Sequence, residues 1–128
     1  MTKFEAIKKQ YRKAVERFDE ILKKGKNDIN RDSAIKRFEF TFDLSWKLIK
    51  AYLEEEKGLK CISPKECFRE AYRQGVLDYD ELWIKVTDWR NEAVYTYGEK
   101  FADALYKKLP ETLKLFQLLE SKINGLTN

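Results

Sequence analysis

Residues 32 to 57 carry apolar side chains on more sides of a helix than one packing partner can cover. At 100° per residue, Ile35, Phe38, Phe42, Trp46, Ile49 and Leu53 share one face, while Phe40, Leu44, Leu48 and Ala51 occupy much of the opposite side. The arc through Glu39, Asp43, Lys47 and Lys50 is the part committed to water. Such a helix must be buried from more than one direction, in the middle of a bundle or partly against a second subunit. Self-association is therefore an expectation of the sequence.

The flanking segments supply the rest of a bundle. Between residues 3 and 24, Phe4, Ile7, Tyr11, Val15, Phe18 and Leu22 recur at helical spacing as a single stripe, and Gly25 ends it. The polar stretch KGKNDINRDS forms the first loop, with Asn30 or Asp32 placed to cap the second helix. Ser63, Pro64 and Glu66 read as N-cap, first helical residue and capping-box partner of a short helix over about 64 to 74, stopped by Gly75. The sequence DYDE at 78 to 81 opens a fourth helix to about residue 95, with Leu82, Val86, Trp89 and Ala93 toward the core. A last helical segment, 98 to 123, runs through Phe101, Leu105, Leu109, Leu113, Phe116 and Leu119, and Pro110 predicts a kink or restart near Leu109. No stretch alternates with a period of two, and neither a glycine-rich phosphate loop nor an internal repeat is present. The prediction is an all-α, antiparallel, up-and-down bundle of four long helices and one additional short one, a single domain over 1 to 128.

Composition supports long solvated helices: 38% of the 128 residues are charged, against five glycines and two prolines. The two cysteines, Cys61 and Cys67, have no secretory signal before them and no other thiol to pair with, which predicts reduced side chains in a cytoplasmic protein. No apolar run approaches the roughly 20 residues that span a bilayer. Residues 1 to 26 hold nine Lys or Arg against four Asp or Glu, so the whole positive excess of the +4 chain sits on the first helix. That face could meet RNA or an acidic partner, although charge runs on helices are usually solvated surface.

The chain contains no histidine. The common nucleophile and base pairs are thereby missing, as are the Glu-x-x-His pairs of di-iron bundles, and neither a metal nor a cofactor is expected. Glu39 and Asp43 read as members of a solvated ion-pair ladder with Lys47 and Lys50. On the fourth helix, Trp83, Arg90 and Tyr97 are spaced by seven and form one stripe beside the core face if the helix continues that far. Arginine between aromatic residues suits a phosphate or another acidic group, because guanidinium offers a rigid fork of donors. The structural alternative is an arginine stacked on Trp83 and paired with Asp88, Glu92 or a carboxylate of a neighbouring helix.

The stretches RDSAIKRFEFTFDLSWKLIKAYLEEE (31 to 56), SPKECFREAYRQGVLD (63 to 78) and DWRNEAVYTYGEK (88 to 100) resemble the nucleotidyltransferase substrate-binding family, a branch of the HEPN superfamily that includes HepT-type toxins. The resemblance covers nearly the whole chain. It implies an all-helical bundle that dimerises and is encoded beside a minimal nucleotidyltransferase with which it forms a complex. In HEPN ribonucleases the signature is Arg, four residues, His, one residue, Tyr, with a polar residue after the Arg. Arg90, Asn91 and Tyr97 match it, whereas Tyr95 stands at the histidine position. The resemblance further implies that the arginine and histidine act on an RNA phosphodiester at the dimer interface, and that Tyr97 is the residue the partner modifies with AMP.

Imidazole titrates near pH 6.5 and phenol near 10, so Tyr95 is a poor base at neutral pH. The sequence thus favours a homodimeric partner of a minimal nucleotidyltransferase, in a toxin–antitoxin-like pair, with little or no ribonuclease activity of its own. Two alternatives stand beside it: an active metal-independent ribonuclease neutralised by tyrosine AMPylation, and a helical adaptor docking through Lys8, Lys9, Arg12 and Lys13.

Overall fold

The computed structural model describes residues 1–96 and 98–127, and among them the regular secondary structure is all helical. Six helices follow in order: α1 (Lys3–Lys23), α2 (Asp28–Lys57), α3 (Pro64–Arg73), α4 (Leu82–Tyr95), α5 (Glu99–Tyr106) and α6 (Leu109–Thr127). The long helices α1, α2, α4 and α6 form the expected antiparallel bundle. The last segment is two helices, because the chain breaks at Lys107–Lys108 and restarts at Leu109, with Pro110 early enough in α6 that its missing N–H is not needed.

The second helix resolves its double apolar pattern by sitting in the middle. It packs against α1, α3, α4, α5 and α6, so Leu44, Leu48 and Ala51 are buried within the chain along with Phe38, Phe42, Ile49 and Leu53. Phe40 is the exception at 56% exposed. Paired contacts fix the directions: Phe4 meets Tyr52 and Phe18 meets Phe38, so α1 and α2 run antiparallel. Trp83 meets Phe116 while Lys108 lies over Trp89, so α4 and α6 do the same. Phe116 is the centre of the core, with ring centroids 5.8 Å from Phe18, 6.3 Å from Phe38 and 6.0 Å from Trp83. The Tyr11 hydroxyl donates a 2.7 Å hydrogen bond to the Phe116 carbonyl, which satisfies the one polar atom of an otherwise buried ring.

Helix ends follow local chemistry, with some shifts from the sequence reading. Asn27, rather than Asn30 or Asp32, caps α2 by accepting from the Asn30 N–H at 2.7 Å, and α2 therefore starts at Asp28. Asn30 instead reaches back to the Gly25 carbonyl, closing the turn in which Gly25 adopts φ +83°. Ser63 caps α3 with Pro64 at its first position, while the Glu66 carboxylate accepts from the Ile62 N–H rather than from the cap residue. Arg31, which is 4% exposed, joins α2 to α5 through Asp103 at 3.1 Å and Glu99 at 3.9 Å, with Asp28 and Asp32 on its own helix.

The cysteine reading needs correction. Cys61 and Cys67 form a disulfide, with Cα atoms 5.2 Å apart. The Ser63–Pro64 cap reverses the chain between them, so Cys61 in the connecting segment and Cys67 in the first turns of α3 both point into the core, where they are buried. Spacing in sequence carries no sign of that reversal, and the expectation of reduced thiols falls with it. Among the described residues, no helix is long and apolar enough to cross a membrane.

Candidate functional site

The cleft that contains the arginine lies between α2 and α4. Because these helices are antiparallel, residues 39 to 43 face residues 90 to 94, and the two segments line an open cleft of about 430 Å³ formed by Lys36, Glu39, Phe40, Asp43, Arg90, Ala93 and Val94. The Arg90 guanidinium rests over the Phe42 ring at 4.8 Å, a stacked arrangement that holds the side chain down against the core. Its nearest charge partner is Asp43, at 3.6 Å, across the helix pair. Among the described residues no ion pair joins Asp43 to Lys47 or Lys50, so the expected ladder is replaced by this cross-helix pair. The Arg90 side chain is 21% exposed, and its Nε atom is buried with no hydrogen-bond partner among the described residues.

Glu39 completes the charged floor. It sits one turn before Asp43 and also lines a second opening of about 230 Å³ with Asp32, Ile35, Thr96 and Phe101. Burial pushes the Glu39 carboxyl upward and Asp43 adds to the rise, while Lys36 and Arg90 pull it back. The cleft holds two cations, Lys36 and Arg90, and two anions, Glu39 and Asp43, so it is formally neutral.

The other residues marked by the sequence are distributed elsewhere. Trp83 is 3% exposed and stacks on Phe68 at 4.5 Å, in the core and away from Arg90, whose aromatic platform is Phe42. Asn91 is exposed and does not line the cleft. Tyr95 is 82% exposed at the last turn of α4. Five residues at about 100° each set it about 140° around the helix from Arg90, so one chain does not bring the two together. Tyr97 lies outside the described residues. On α1, Lys9, Arg12 and Lys13 are exposed, Arg12 pairs with Glu16 at 3.5 Å, and the Lys8 ammonium donates to the Thr127 hydroxyl. Among the described residues, no group of three or more acidic, cysteine or histidine side chains is arranged to hold a metal ion.

Sequence reasoning missed Lys36, Glu39 and Asp43 as companions of Arg90. The signal that could have found them is the antiparallel pairing itself, since two neighbouring antiparallel helices align positions whose numbers sum to a nearly constant value. Arg90 with Asp43, and Ala93 with Glu39, obey it.

Residues 6–125 match the family described as nucleotidyltransferase substrate binding protein like. The chain belongs to that family. A relative of this family member, a probable ribonuclease HepT from Haemophilus influenzae, is 31% identical over 84 residues, and the matched region spans 62% of this chain and 58% of the relative. A protein from Thermus thermophilus, known from its crystal structure, superimposes with a TM-score of 0.82 at 34% identity, covering 92% of this family member and 99% of the other. The all-α bundle is thus shared by a solved structure of a detectably similar sequence.

Proposed function

We propose that this protein is the dimeric partner of a minimal nucleotidyltransferase, in a toxin–antitoxin-like pair, with little or no ribonuclease activity of its own. Its functional surface is the α2–α4 cleft around Arg90. The observation that carries this reading is what faces the guanidinium. General acid–base work on a phosphodiester is best done by a group that titrates near neutral pH, and at the signature's histidine position this chain carries the phenol of Tyr95 in place of an imidazole. The groups beside Arg90 are Glu39 and Asp43, and Asp43 is already engaged with it.

The rim supports self-association. Phe40 and Val94 are exposed apolar side chains that line the cleft from its two helices, the pattern of a surface that a second copy covers. A nucleotidyltransferase partner follows from the family's description.

Co-expression with a minimal nucleotidyltransferase encoded beside it, the neighbour that the resemblance implies, followed by size-exclusion chromatography with light scattering, tests the proposal. The expected result is one complex containing two copies of this chain; two separately eluting proteins would rule the partnership out. The relative named as a probable ribonuclease favours a second reading, an active ribonuclease silenced by AMPylation of Tyr97. It requires the purified protein to cleave RNA and Arg90→Ala to abolish the cleavage, and an inert wild type decides against it.

A further inference from the structure

We propose that α5 is a hinged wall of the α2–α4 cleft, latched onto α2 by the buried guanidinium of Arg31, and that its release extends the cleft along α2. The consequence for function rests on the reading of that cleft as the functional surface. The latch itself does not, and it is tested without partner or ligand.

The position of α5 makes it a wall. Phe101 and Ala102 of α5 close one side of the opening of about 230 Å³ whose other walls are Ile35 and Glu39 of α2 and Ala93 of α4. Glu39 and Ala93 also line the Arg90 cleft, so α5 stands where the two openings meet. It packs chiefly on α2. Of its eight residues only Leu105, in the last turn, is fully buried, while Phe101, Ala102 and Asp103 are half-buried. Both of its ends are breaks in the helical path: Thr96 and Gly98 have extended backbone before it, and the chain breaks again at Lys107–Lys108 after it. A two-turn helix with its apolar anchor at one end, and a break at each end, can swing about that anchor without unwinding its neighbours.

Charge holds the free end. Arg31 reaches Asp103 at 3.1 Å and Glu99 at 3.9 Å, and Asp103 also pairs with Lys26 at 3.0 Å. The same guanidinium pairs with Asp32 at 3.0 Å and Asp28 at 3.6 Å on α2 itself. Four carboxylates thus share one buried arginine, two on the helix that stays and two on the helix that can leave. Departure of α5 therefore does not strand an unpaired buried cation, which is the penalty that ordinarily locks a buried ion pair. Glu99 is exposed and Asp103 half-exposed, so both carboxylates return to water at little cost. Arg31 has partners in the docked and the undocked arrangement alike, the condition for a two-state element rather than a fixed joint.

The test is amide hydrogen exchange read by mass spectrometry on the full-length wild type, Asp103→Asn and Asp32→Asn, comparing residues 99 to 106 with the cores of α2 and α6. Asp103→Asn should speed exchange over α5 about fivefold, as for the loss of two half-exposed ion pairs, and leave the two cores unchanged. Asp32→Asn should slow it about twofold, because it removes a competitor for Arg31 and a charge that repels Asp103; a cluster that only stabilises the fold predicts the opposite sign. Maleimide labelling of Ile35→Cys, in oxidised protein where Cys61 and Cys67 are paired, reads the uncovering of α2 and should follow the same order in the two backgrounds. Unchanged exchange in Asp103→Asn overturns the proposal, as does faster exchange in Asp32→Asn. Exchange over α5 that rises and falls with the cores overturns it too, since α5 would then open only with the whole fold. Labelling that ignores both substitutions would mean that α5 frays in place, and the hinged wall would fall. Association with the nucleotidyltransferase is decided separately by co-purification, and its failure leaves the latch standing.

Discussion

Phe40 and Phe42 are two residues apart on α2, about 200° around the helix from each other, and the fold assigns them opposite fates. Phe42 has no exposed surface, packs on Phe68 at 5.9 Å and carries the Arg90 guanidinium at 4.8 Å. Truncating it to alanine leaves a cavity that neighbouring helices cannot close, at a cost of about 3–5 kcal/mol, a large part of the roughly 5–15 kcal/mol that holds such a domain folded. Phe40 is more than half exposed, and its truncation should cost no more than about 0.5 kcal/mol in dilute solution. Urea unfolding followed by tryptophan fluorescence reads both, since the chain has three tryptophans. With a slope of roughly 1–3 kcal/mol per molar urea, Phe42→Ala should lower the midpoint by more than about 1 M, and Phe40→Ala should leave it nearly in place. Concentration separates packing from association: if a second copy covers Phe40, its truncation becomes costly only where the wild type is dimeric. Equal costs for the two variants at low concentration would mean that α2 is rotated from the position described, and the site built on it would fall.

Three further outcomes follow from the core and the ion pairs. Reduction of the Cys61–Cys67 bridge, or replacement of both by serine, removes a closure of six residues and should destabilise the fold by about 2 kcal/mol, read as a midpoint difference between oxidised and reduced protein. Tyr11→Phe loses the buried hydrogen bond to the Phe116 carbonyl and should cost about 1 kcal/mol in the same measurement, with no change in helix content. Lys26 and Arg31 hold the Asp103 carboxyl below its ordinary value. A depressed acid stabilises the fold above its unfolded pKa and loses that contribution as pH falls through the folded value. Asp103→Asn should therefore weaken the protein at pH 7 and narrow its difference from wild type toward pH 3, and a difference that stays constant across the titration would remove Asp103 from the account.

Much of the fold was legible because it is encoded at short range. Helical spacing marked α1 and α4, Ser63–Pro64 and Gly75 marked the bounds of α3, and Pro110 marked the restart of α6. The double apolar pattern of α2 required a central position, which it has. Where competing local signals were crowded together, the reading slipped by a few residues: Asn27, Asp28, Asn30 and Asp32 can all cap, and only the position of α5 against Arg31 shows why the chain turns at Asn27. The disulfide was missed because a helix cap folds the chain back on itself between the two thiols.

The site was legible only in part, for a physical reason. A sequence motif records neighbours along one helix, so Arg90, Asn91 and Tyr95 looked like a unit. On an α-helix Asn91 and Tyr95, four residues apart, share a face turned well away from Arg90, and only Arg90 enters the cleft. Its chemical surroundings come from α2, where Glu39 and Asp43 looked like solvated surface because nothing local hinted at a cation on a helix far along the chain. The interaction that defines the site, Asp43 with Arg90, belongs to the pairing of two helices rather than to either sequence segment. Position 95 is therefore not the only position that bears on the chemistry of Arg90: with imidazole placed there, the arginine would still face a carboxylate of its own chain.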